Sequence, residues 1–346
     1  MIHYVSVCLL LLLAFFNQQD VTTIYSIGDS TVADYTLEHG FIRRAGIRAI
    51  VNHTVCPDTS GITGVRDSSF TREGELLRMK KQYPDIRLVT EPEVSSLISR
   101  NAVYREVDGI PLAGDIYRAE ERDGPVPGVL VIHGGGWRSG DKAQLGGLAY
   151  QLASVGYACF AINYRLSTQA LYPAAVHDVE AALQWMKTNA DTLGIDPTKI
   201  AVLGFSAGGQ LAALIGAKKG KSEVQAIVDI DGILAFIHPE SGEGNDTQSK
   251  SAATYWFGYS KTERPDLWQE ASALRYVSRT TPPTLFVNSS VDRMRAGRED
   301  FIRVLDQFGI YHETKTFADA PHSFCLFEPW FTPMSAMITD FLDAVF

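Results

Sequence analysis

One stretch in the second half of the chain constrains the fold more than any other, because a strand pattern, a serine between glycines and a helix pattern follow one another in it. Residues 200–203 are apolar and include β-branched side chains, which is typical of a strand buried on both faces. Ser206 then lies between Gly204 and Gly208, and residues 211–216 favour a helix. A sharp turn between such a strand and helix holds the serine hydroxyl at the strand end, beside the helix N-terminus. The stretch predicts a nucleophilic serine, although the pattern alone also suits a glycine-rich corner without chemistry.

A second glycine-rich segment lies upstream of this serine. The short apolar run 129–132 predicts a buried strand, and it ends in His133 followed by three consecutive glycines, residues 134–136. Backbone N–H groups of such glycines are open to an incoming oxygen atom, and rigid N–H groups stabilise an oxyanion. This loop, placed after a strand and before G-x-S-x-G, is the arrangement described for lipases and esterases. Alone it could be a flexible loop, but in this order it predicts an oxyanion-binding site.

Strand and helix patterns alternate from residue 100 to residue 346, which predicts an α/β domain with a mostly parallel sheet covered on both faces. The predicted strands are residues 103–107, 112–117, 129–132, 157–162, 200–203, 226–230, 282–288 and 313–317. Between residues 232 and 279 the pattern loosens and aromatic side chains accumulate. We interpret this segment as a small cap insertion above the carboxyl ends of the strands, where ligands bind in open α/β sheets. It could equally be a helical cap that only buries its own aromatic side chains.

Three reactive side chains follow predicted strands in the order Ser206, Asp292, His322. A serine hydroxyl is a poor nucleophile at neutral pH and needs an adjacent base, for which an imidazole is well suited. A carboxylate can hold that imidazole in the required tautomer. Nucleophile, acid and histidine is also the chain order of α/β-hydrolases. Glu299 and Asp300, on the following helix, are alternatives for the acid.

From about residue 103 to its end, the chain resembles the esterase and lipase branch of the α/β-hydrolase superfamily. The resemblance rests on H-G-G-G-W at residues 133–137 and G-F-S-A-G-G at residues 204–209. The chain is similar to bacterial carbohydrate esterases that remove acetyl or feruloyl groups from plant cell-wall polysaccharides such as pectin and xylan. This resemblance implies ester hydrolysis through a covalent acyl-enzyme.

The same resemblance implies a role for each residue of the site. Ser206 would attack the ester carbonyl, His322 would take its proton and return it to the leaving alcohol, and Asp292 would orient His322. The oxyanion would be held by the N–H groups of Gly135, Gly136 and Ala207. We expect no cofactor and no metal ion, because the chain has neither H-E-x-x-H nor paired cysteines at zinc spacing.

The acyl group and the alcohol are less constrained by the sequence. Aromatic side chains that could stack on a sugar ring, or on a feruloyl group, are Trp137, Trp256 and Tyr259. A general short-chain esterase is the nearest alternative. A peptidase of the prolyl-oligopeptidase type shares the triad order but is expected to carry a large accessory domain. A non-catalytic binding protein of this fold is expected to have lost Ser206 or His322, and both are present.

The first part of the chain contains two further features. Residues 5–16 form an apolar block that is short for a membrane span and typical of a signal-peptide core, so residues 1–19 are predicted to be a signal peptide or hydrophobic leader. We therefore expect export to the periplasm or the medium, with a retained anchor as the alternative. No stable membrane insertion is expected after leader removal.

Residues 28–31 read Gly-Asp-Ser-Thr and resemble the first motif of SGNH (GDSL-type) hydrolases, particularly their rhamnogalacturonan acetylesterase branch. The later Gly-x-Asn and Asp-x-x-His blocks of such a domain do not follow before residue 101, which leaves Ser30 without a base. Residues 20–99 are therefore predicted to be a truncated, short SGNH-like α/β segment with a linker, and the alternative is an unrelated extension. The formal net charge of −9 argues against nucleic acid as a partner. The sequence does not indicate an oligomeric state.

Overall fold

The computed structural model describes residues 76, 79–119, 123–247 and 249–346. Contacts divide the chain into two compact units, Met1–Pro84 and Asp85–Phe346, and the second unit carries the sheet. The predicted domain boundary at residue 100 lies inside this second unit. The predicted leader, Ser30 and most of the SGNH-like segment lie outside the described residues, so those interpretations stay predictions. Over the described ranges, no helix is both long and apolar enough to cross a membrane.

The second unit is built on an eight-stranded sheet with the strand order β2-β3-β5-β4-β6-β7-β8-β9. The strands of the described residues are β1 Arg87–Leu88, β2 Ile98–Val107, β3 Ile110–Tyr117, β4 Val126–Ile132, β5 Ala158–Ile162, β6 Ile195–Phe205, β7 Ala226–Ile230, β8 Thr284–Asn288, β9 His312–Thr316 and β10 Phe327–Glu328. The hairpin β2–β3 is antiparallel and β3 pairs antiparallel with β5, whereas all pairings from β5 to β9 are parallel. Strands β1 and β10 form a separate antiparallel pair.

The buried strands explain the parallel arrangement. Every residue of β5, β7 and β8 is buried, and strands with two covered faces read as continuous apolar runs rather than alternating ones. The predicted fold class, an α/β-hydrolase sheet that is mostly parallel and covered by helices, is confirmed.

Eight α-helices of the described residues accompany the sheet: α1 Gly146–Ser154, α2 Ala174–Thr188, α3 Ala190–Leu193, α4 Ala207–Lys219, α5 Ala252–Phe257, α6 Pro265–Glu270, α7 Arg298–Gln307 and α8 Phe331–Val345. Helices α2 and α4 pack against each other and against the sheet, while α1 and α8 form a second such pair. Helix α4 follows the predicted nucleophile directly and is buried from Ala207 to Ala217, which fixes its N-terminus at the sheet edge.

The segment predicted as a cap contains α5, α6 and the 3-10 turn Ala273–Arg275. Its large aromatic side chains are buried, since Trp256, Phe257 and Trp268 are each at most 1% exposed. Phe236, just before the cap helices, packs against all three of these rings at centroid distances of 5.2–6.0 Å. The cap is therefore a small aromatic core of its own, attached beside the carboxyl ends of the strands.

Candidate active site

The turn between β6 and α4 has the backbone strain expected of a nucleophile elbow. Ser206 adopts φ 56° and ψ −119°, a region that non-glycine residues rarely occupy. The turn is so tight that a Cβ atom on Gly204 would lie 2.1 Å from the carbonyl oxygen of Gly208. A Cβ atom on Gly208 would in turn lie 2.1 Å from the carbonyl oxygen of Ile132 at the end of β4. Glycine is therefore required at both positions, and the turn presses Ser206 outward at the sheet edge.

The structure brings Ser206 and His322 together. Nε2 of His322 lies 2.9 Å from the Ser206 Oγ atom, within the range of a hydrogen bond that can pass a proton. His322 comes from the loop after β9, and 26% of its side chain is exposed. Phe205, the residue before the serine, packs against the imidazole at a centroid distance of 4.9 Å. The imidazole is thus reachable from solvent on one side and supported on the other.

The carboxylate bound to His322 is Asp231 and not Asp292, which corrects the sequence prediction. Nδ1 of His322 donates to Asp231 Oδ2 at 2.8 Å, and the Asp231 side chain is fully buried. Asp292 lies on a 3-10 turn, where its side chain is 81% exposed and forms an ion pair with Arg295.

The two residues on α7 that were alternatives for the acid, Glu299 and Asp300, also form ion pairs with other side chains. Glu299 forms an ion pair with Arg298 at 2.6 Å, and Asp300 forms one with Arg303 at 2.8 Å. Their side chains are 61% and 41% exposed, so neither meets the imidazole in a dry environment.

Strand register explains why Asp231 reaches the site. Phe205 on β6 is paired with Ile230 on β7, so the residues that follow, Ser206 and Asp231, leave adjacent strands at the same level. The Ser206 N–H group donates to the Ile230 carbonyl oxygen at 2.8 Å, which ties the two strand ends together. Asp292 follows β8 by several residues and has turned away from this edge. The sequence signal for Asp231 was a second carboxylate, in Asp229-Ile230-Asp231-Gly232, at the end of the strand next to the elbow.

Asp231 is held by donors from the end of β8. The Ser289 N–H group donates to Oδ1 at 2.8 Å, and Asn288 Nδ2 donates to the same atom at 3.3 Å. The Asn288 amide is itself oriented by Arg298, whose Nη1 donates to Asn288 Oδ1 at 2.7 Å. Several donors to one buried carboxylate satisfy its oxygens and fix its orientation. The Arg298–Asn288–Asp231 chain therefore supports the orientation of His322.

The oxyanion loop lies directly against the elbow. A Cβ atom on Gly134 would lie 2.9 Å from the Phe205 carbonyl oxygen and 3.1 Å from Ser206 Cβ, so a side chain there would require the elbow or the loop to shift. The Gly134 N–H group is already bound, because it donates to Gln144 Oε1 at 2.7 Å. His133 is buried, which lowers the pKa of its imidazole, and its Nδ1 donates to the Gly134 carbonyl oxygen at 2.7 Å. These contacts fix the loop shape without using the next two N–H groups.

Those next N–H groups belong to Gly135 and Gly136, and the third predicted donor is Ala207, the first residue of α4. In the described part of the chain, none of the three donates a hydrogen bond. Each is a backbone donor in or next to the loop and elbow that meet at Ser206. An oxyanion formed there would also feel the positive end of α4. Their role as an oxyanion hole stays a prediction, and their positions suit it.

A second buried carboxylate, besides Asp231, lies next to the elbow. Asp229 is buried on β7, its Oδ1 accepts from the Gly232 N–H group at 2.8 Å, and a Cβ atom on Gly209 would lie 2.4 Å from that oxygen. Burial raises the pKa of Asp229 well above its usual range, and the neighbouring charge of Asp231 acts in the same direction. The two carboxylates therefore differ in their surroundings, since Asp231 accepts hydrogen bonds from three residues and burial favours the protonated form of Asp229.

Two of the three aromatic side chains predicted to bind a sugar are not available for that role. Trp137 and Trp256 are 4% and 0% exposed, and their rings stack on each other at 4.7 Å with an interplanar angle of 7°. The Trp137 Nε1 atom donates to buried Gln210 at 2.9 Å. Their function here is to join the oxyanion loop to α5. Tyr259 is 46% exposed, so its predicted contact with substrate stays a prediction.

The described residues contain no group of three or more His, Cys, Asp or Glu side chains placed to hold a metal ion. The site is made instead of a serine, an imidazole and a carboxylate in one hydrogen-bonded line, with open N–H groups beside the serine. Such a line can activate the hydroxyl for attack on a carbonyl group.

Comparison with known proteins finds a matching family and several esterases to which this chain is similar. The BD-FAE family matches residues 114–296, more than half of the 346-residue chain. Esterase LipC of Mycobacterium tuberculosis is 28% identical over 191 residues, which cover 51% of this chain and 47% of LipC. The chain thus spans about half the length of this curated relative.

Two solved structures show the same fold. A truncated form of a carbohydrate esterase from gut microbiota gives a TM-score of 0.62 at 22% identity, over 74% of this chain and 99% of that chain. The thermophilic esterase Est2 of the Planctomycetes species Thermogutta terrifontis, with butyrate bound, gives 0.59 at 21% identity, over 71% and 94%.

Proposed function

The chain belongs to the BD-FAE family, and from that premise we propose that it hydrolyses carboxylic esters with Ser206 as the nucleophile. The observation that carries the proposal is the line from Ser206 Oγ through His322 to Asp231, with contacts of 2.9 and 2.8 Å. The esterase LipC and the esterase folds described above support the same reaction class.

The reaction follows from this line. His322 Nε2 removes the proton of Ser206 as its Oγ atom attacks the ester carbonyl, and Asp231 stabilises the imidazolium that forms. The N–H groups of Gly135, Gly136 and Ala207 receive the negative charge of the tetrahedral intermediate. The imidazolium then gives its proton to the leaving alcohol. Water, activated by the same imidazole, hydrolyses the acyl-enzyme and restores the Ser206 hydroxyl.

Ser206→Ala tests the reaction. We expect the kcat for p-nitrophenyl acetate to fall by about 10⁵-fold or more, because the covalent route is lost. The tight elbow holds an alanine as easily as a serine, so the melting temperature should stay near that of the wild type. Residual activity within tenfold of the wild type would refute the assignment of Ser206. A wild-type protein without any esterase activity would favour the alternative of a non-catalytic binding protein.

For the substrate, we propose acetyl esters of a plant cell-wall polysaccharide, pectin or xylan, with a feruloyl or general short-chain ester as the alternative. A solved neighbour described as a carbohydrate esterase supports this class. The test is acetate and ferulate release from acetylated pectin, acetylated xylan and a feruloylated xylan, with Ser206→Ala and Ser30→Ala alongside. Acetate release that survives Ser30→Ala and is lost in Ser206→Ala supports the proposal. Loss in Ser30→Ala would place activity in the N-terminal segment.

A polysaccharide substrate of this kind lies outside the cell, which agrees with the apolar block at residues 5–16. We propose that residues 1–19 direct export of the protein. Fractionation of cells, with mass spectrometry of the mature N-terminus, tests this. A protein found in the cytoplasm with its first residues intact would refute it.

A further inference from the structure

Three neighbouring contacts join the oxyanion loop to helix α5. A Cβ atom on Gly136 would lie 2.9 Å from Ala252 Cβ. The next residue of the loop, Trp137, stacks on Trp256. The residue after that, Arg138, places its guanidinium 4.1 Å from the centroid of the Tyr255 ring, a cation–π contact.

The last of these contacts faces outward, unlike the tryptophan pair. Tyr255 is 42% exposed and is the most exposed residue of α5. Arg138 is partly exposed, and its N–H group donates to the Gly135 carbonyl oxygen at 3.1 Å, inside the oxyanion loop itself. Because Arg138 lies two residues after Gly136, their Cα atoms are at most about 7.6 Å apart. The Arg138 backbone is therefore part of the same short segment as the predicted oxyanion donors Gly135 and Gly136.

Among the described residues, no partner neutralises the charge of Arg138. Across the described ranges, no carboxylate lies within ion-pair distance of Arg138, whereas Arg264 pairs with Asp266 at 2.7 Å and Arg293 with Glu243 at 3.6 Å. The exposed edge of a guanidinium stacked on an aromatic ring keeps a fork of N–H donors that matches the two oxygens of a carboxylate.

We propose that Arg138, held against Tyr255 beside the oxyanion loop, binds a carboxylate of the substrate, so that the enzyme prefers acetyl esters on an acidic, uronic-acid polysaccharide to those on a neutral one. This rests on the proposed esterase function and narrows it. The net charge of the protein is −9, so a polyanion would be bound through this local cation rather than through the general field.

Lys250 supports the same subsite but is not its main element. Its Nζ atom lies 5.9 Å from the centroid of the Tyr255 ring. It also acts on Glu263, where hydrogen bonds from Ser260 and then the charge of Lys250 lower the pKa of the carboxyl group. Glu243 and Asp246, the other nearby carboxylates, accept hydrogen bonds from the first turn of α5, at Ala253 and Thr254. Of these two cations, Arg138 is the one that lies in the segment directly after the oxyanion glycines.

The experiment uses one polymer in two charge states. Acetylated polygalacturonate is compared with the same polymer after its carboxylates have been methyl-esterified, and only released acetate is measured. We expect Arg138→Gln to lower kcat/KM on the charged polymer by about tenfold. Its effect on the methyl-esterified polymer and on p-nitrophenyl acetate should stay below about threefold, because the reacting groups are untouched. Arg138→Lys should retain part of the preference, since it keeps the charge but loses the planar fork.

The chain offers a matched control. Arg264 lies 5.6 Å from the centroid of the exposed Tyr259 ring, but Asp266 neutralises it. Arg264→Gln should therefore leave the preference between the two polymers unchanged, while it changes the net charge by the same amount as Arg138→Gln.

Two results would overturn the proposal: a wild-type enzyme that does not prefer the charged polymer, or an Arg138→Gln variant with equal losses on the charged polymer and on p-nitrophenyl acetate. Both leave the esterase function standing. Failure of that function would show instead as a wild-type protein that cleaves none of the acetyl esters.

Discussion

The loops that follow β7 and β8 each contain an aspartate, and they treat it in opposite ways. Asp231, directly after β7, is fully buried, accepts hydrogen bonds from His322, Ser289 and Asn288, and lies level with Ser206. Asp292, after β8, is 81% exposed and forms an ion pair with Arg295. The β8 loop contributes donors to the site instead of the acid. The end of β7 thus supplies the carboxylate of the site, and the end of β8 supplies the hydrogen-bond donors that hold this carboxylate in place.

The acid that binds His322 is therefore predicted less well by the order of residues along the chain than by the register of strands across the sheet. Both aspartates satisfy the order nucleophile, acid, histidine. Only Asp231 leaves its strand at the level set by the Phe205–Ile230 pair, so only Asp231 can meet the imidazole. Burial then makes the contact effective, because a charge pair screened by water contributes little.

Among the variants that test this comparison, the largest effect is expected when each of the two aspartates is replaced separately by asparagine. Asp231→Asn should lower kcat by about 10⁴-fold, since an amide can hold His322 in the wrong tautomer and cannot stabilise the imidazolium. Asp292→Asn should change kcat by less than about twofold, because its carboxylate is solvated. Initial rates with p-nitrophenyl acetate measure both.

The same pair of variants can break the comparison. If Asp292→Asn lost activity as strongly as Asp231→Asn, the loop after β8 would have to rearrange during the reaction to present its acid. Circular dichroism and melting temperatures of both proteins exclude the trivial case in which the buried variant fails to fold.

How much of the site can be predicted from sequence depends on how local each part is. The elbow around Ser206, the glycine loop at residues 134–136 and the strand–loop–histidine pattern before His322 are short motifs whose meaning lies within a few residues. They predicted positions that meet in the structure. The acid is different, because its identity depends on which residue of a neighbouring strand lies opposite Ser206, whereas the prediction of Asp292 rests on its place after a predicted strand and on the order of the three residues along the chain.

The fold was predictable for a related reason. Continuous apolar runs separated by amphipathic patterns indicate buried parallel strands wherever they lie, and many such runs together predict a mostly parallel sheet, which the structure has with eight strands. Aromatic side chains carry no such pattern. Whether Trp137 and Trp256 face a ligand or each other is decided by the tertiary packing of the cap, and they stack in its core.

An intermediate effect on kcat is expected from changing Asn288, which donates to Asp231 from the end of β8. Asn288→Ala removes the amide that donates to Asp231 and leaves Arg298 without its 2.7 Å acceptor. We expect kcat to fall by about tenfold with KM nearly unchanged, because the Ser289 N–H group still holds the carboxylate. The control is Thr316→Val, which removes another contact of Arg298, at 3.4 Å, without touching Asp231. Equal losses in both variants would mean that Arg298 only stabilises the fold.

The smallest effect is expected on stability and concerns Asp229. This buried carboxylate lies on β7, two residues before Asp231. Burial raises the pKa of Asp229 above its value in the unfolded chain, which is about 4. The folded protein then holds a proton that the unfolded chain releases, so this group makes stability fall as the pH rises above about 4. Asp115 has the opposite effect on the pH dependence of stability, because its pKa is lowered on folding. Although burial alone would raise its pKa, hydrogen bonds from Lys142, the Asn101 N–H group and Arg100 lower it.

Replacing each of these aspartates by asparagine therefore distinguishes a buried carboxyl group that keeps its proton from one that keeps its charge. Asp229→Asn keeps the oxygen that accepts from Gly232 and removes the ionisable proton, so its stability relative to the wild type should improve between pH 4 and pH 7, by on the order of 1 kcal/mol. Asp115→Asn should be less stable than the wild type at pH 7, because two cations at 2.8 and 2.9 Å lose their partner, and the deficit should shrink as the pH falls. Urea unfolding at pH 4, 5.5 and 7 measures both trends. If the Asp229→Asn curve ran parallel to that of the wild type, the Asp229 carboxyl would be ionised in the folded state. The contrast between a proton kept at Asp229 and a charge kept at Asp115 would then be lost.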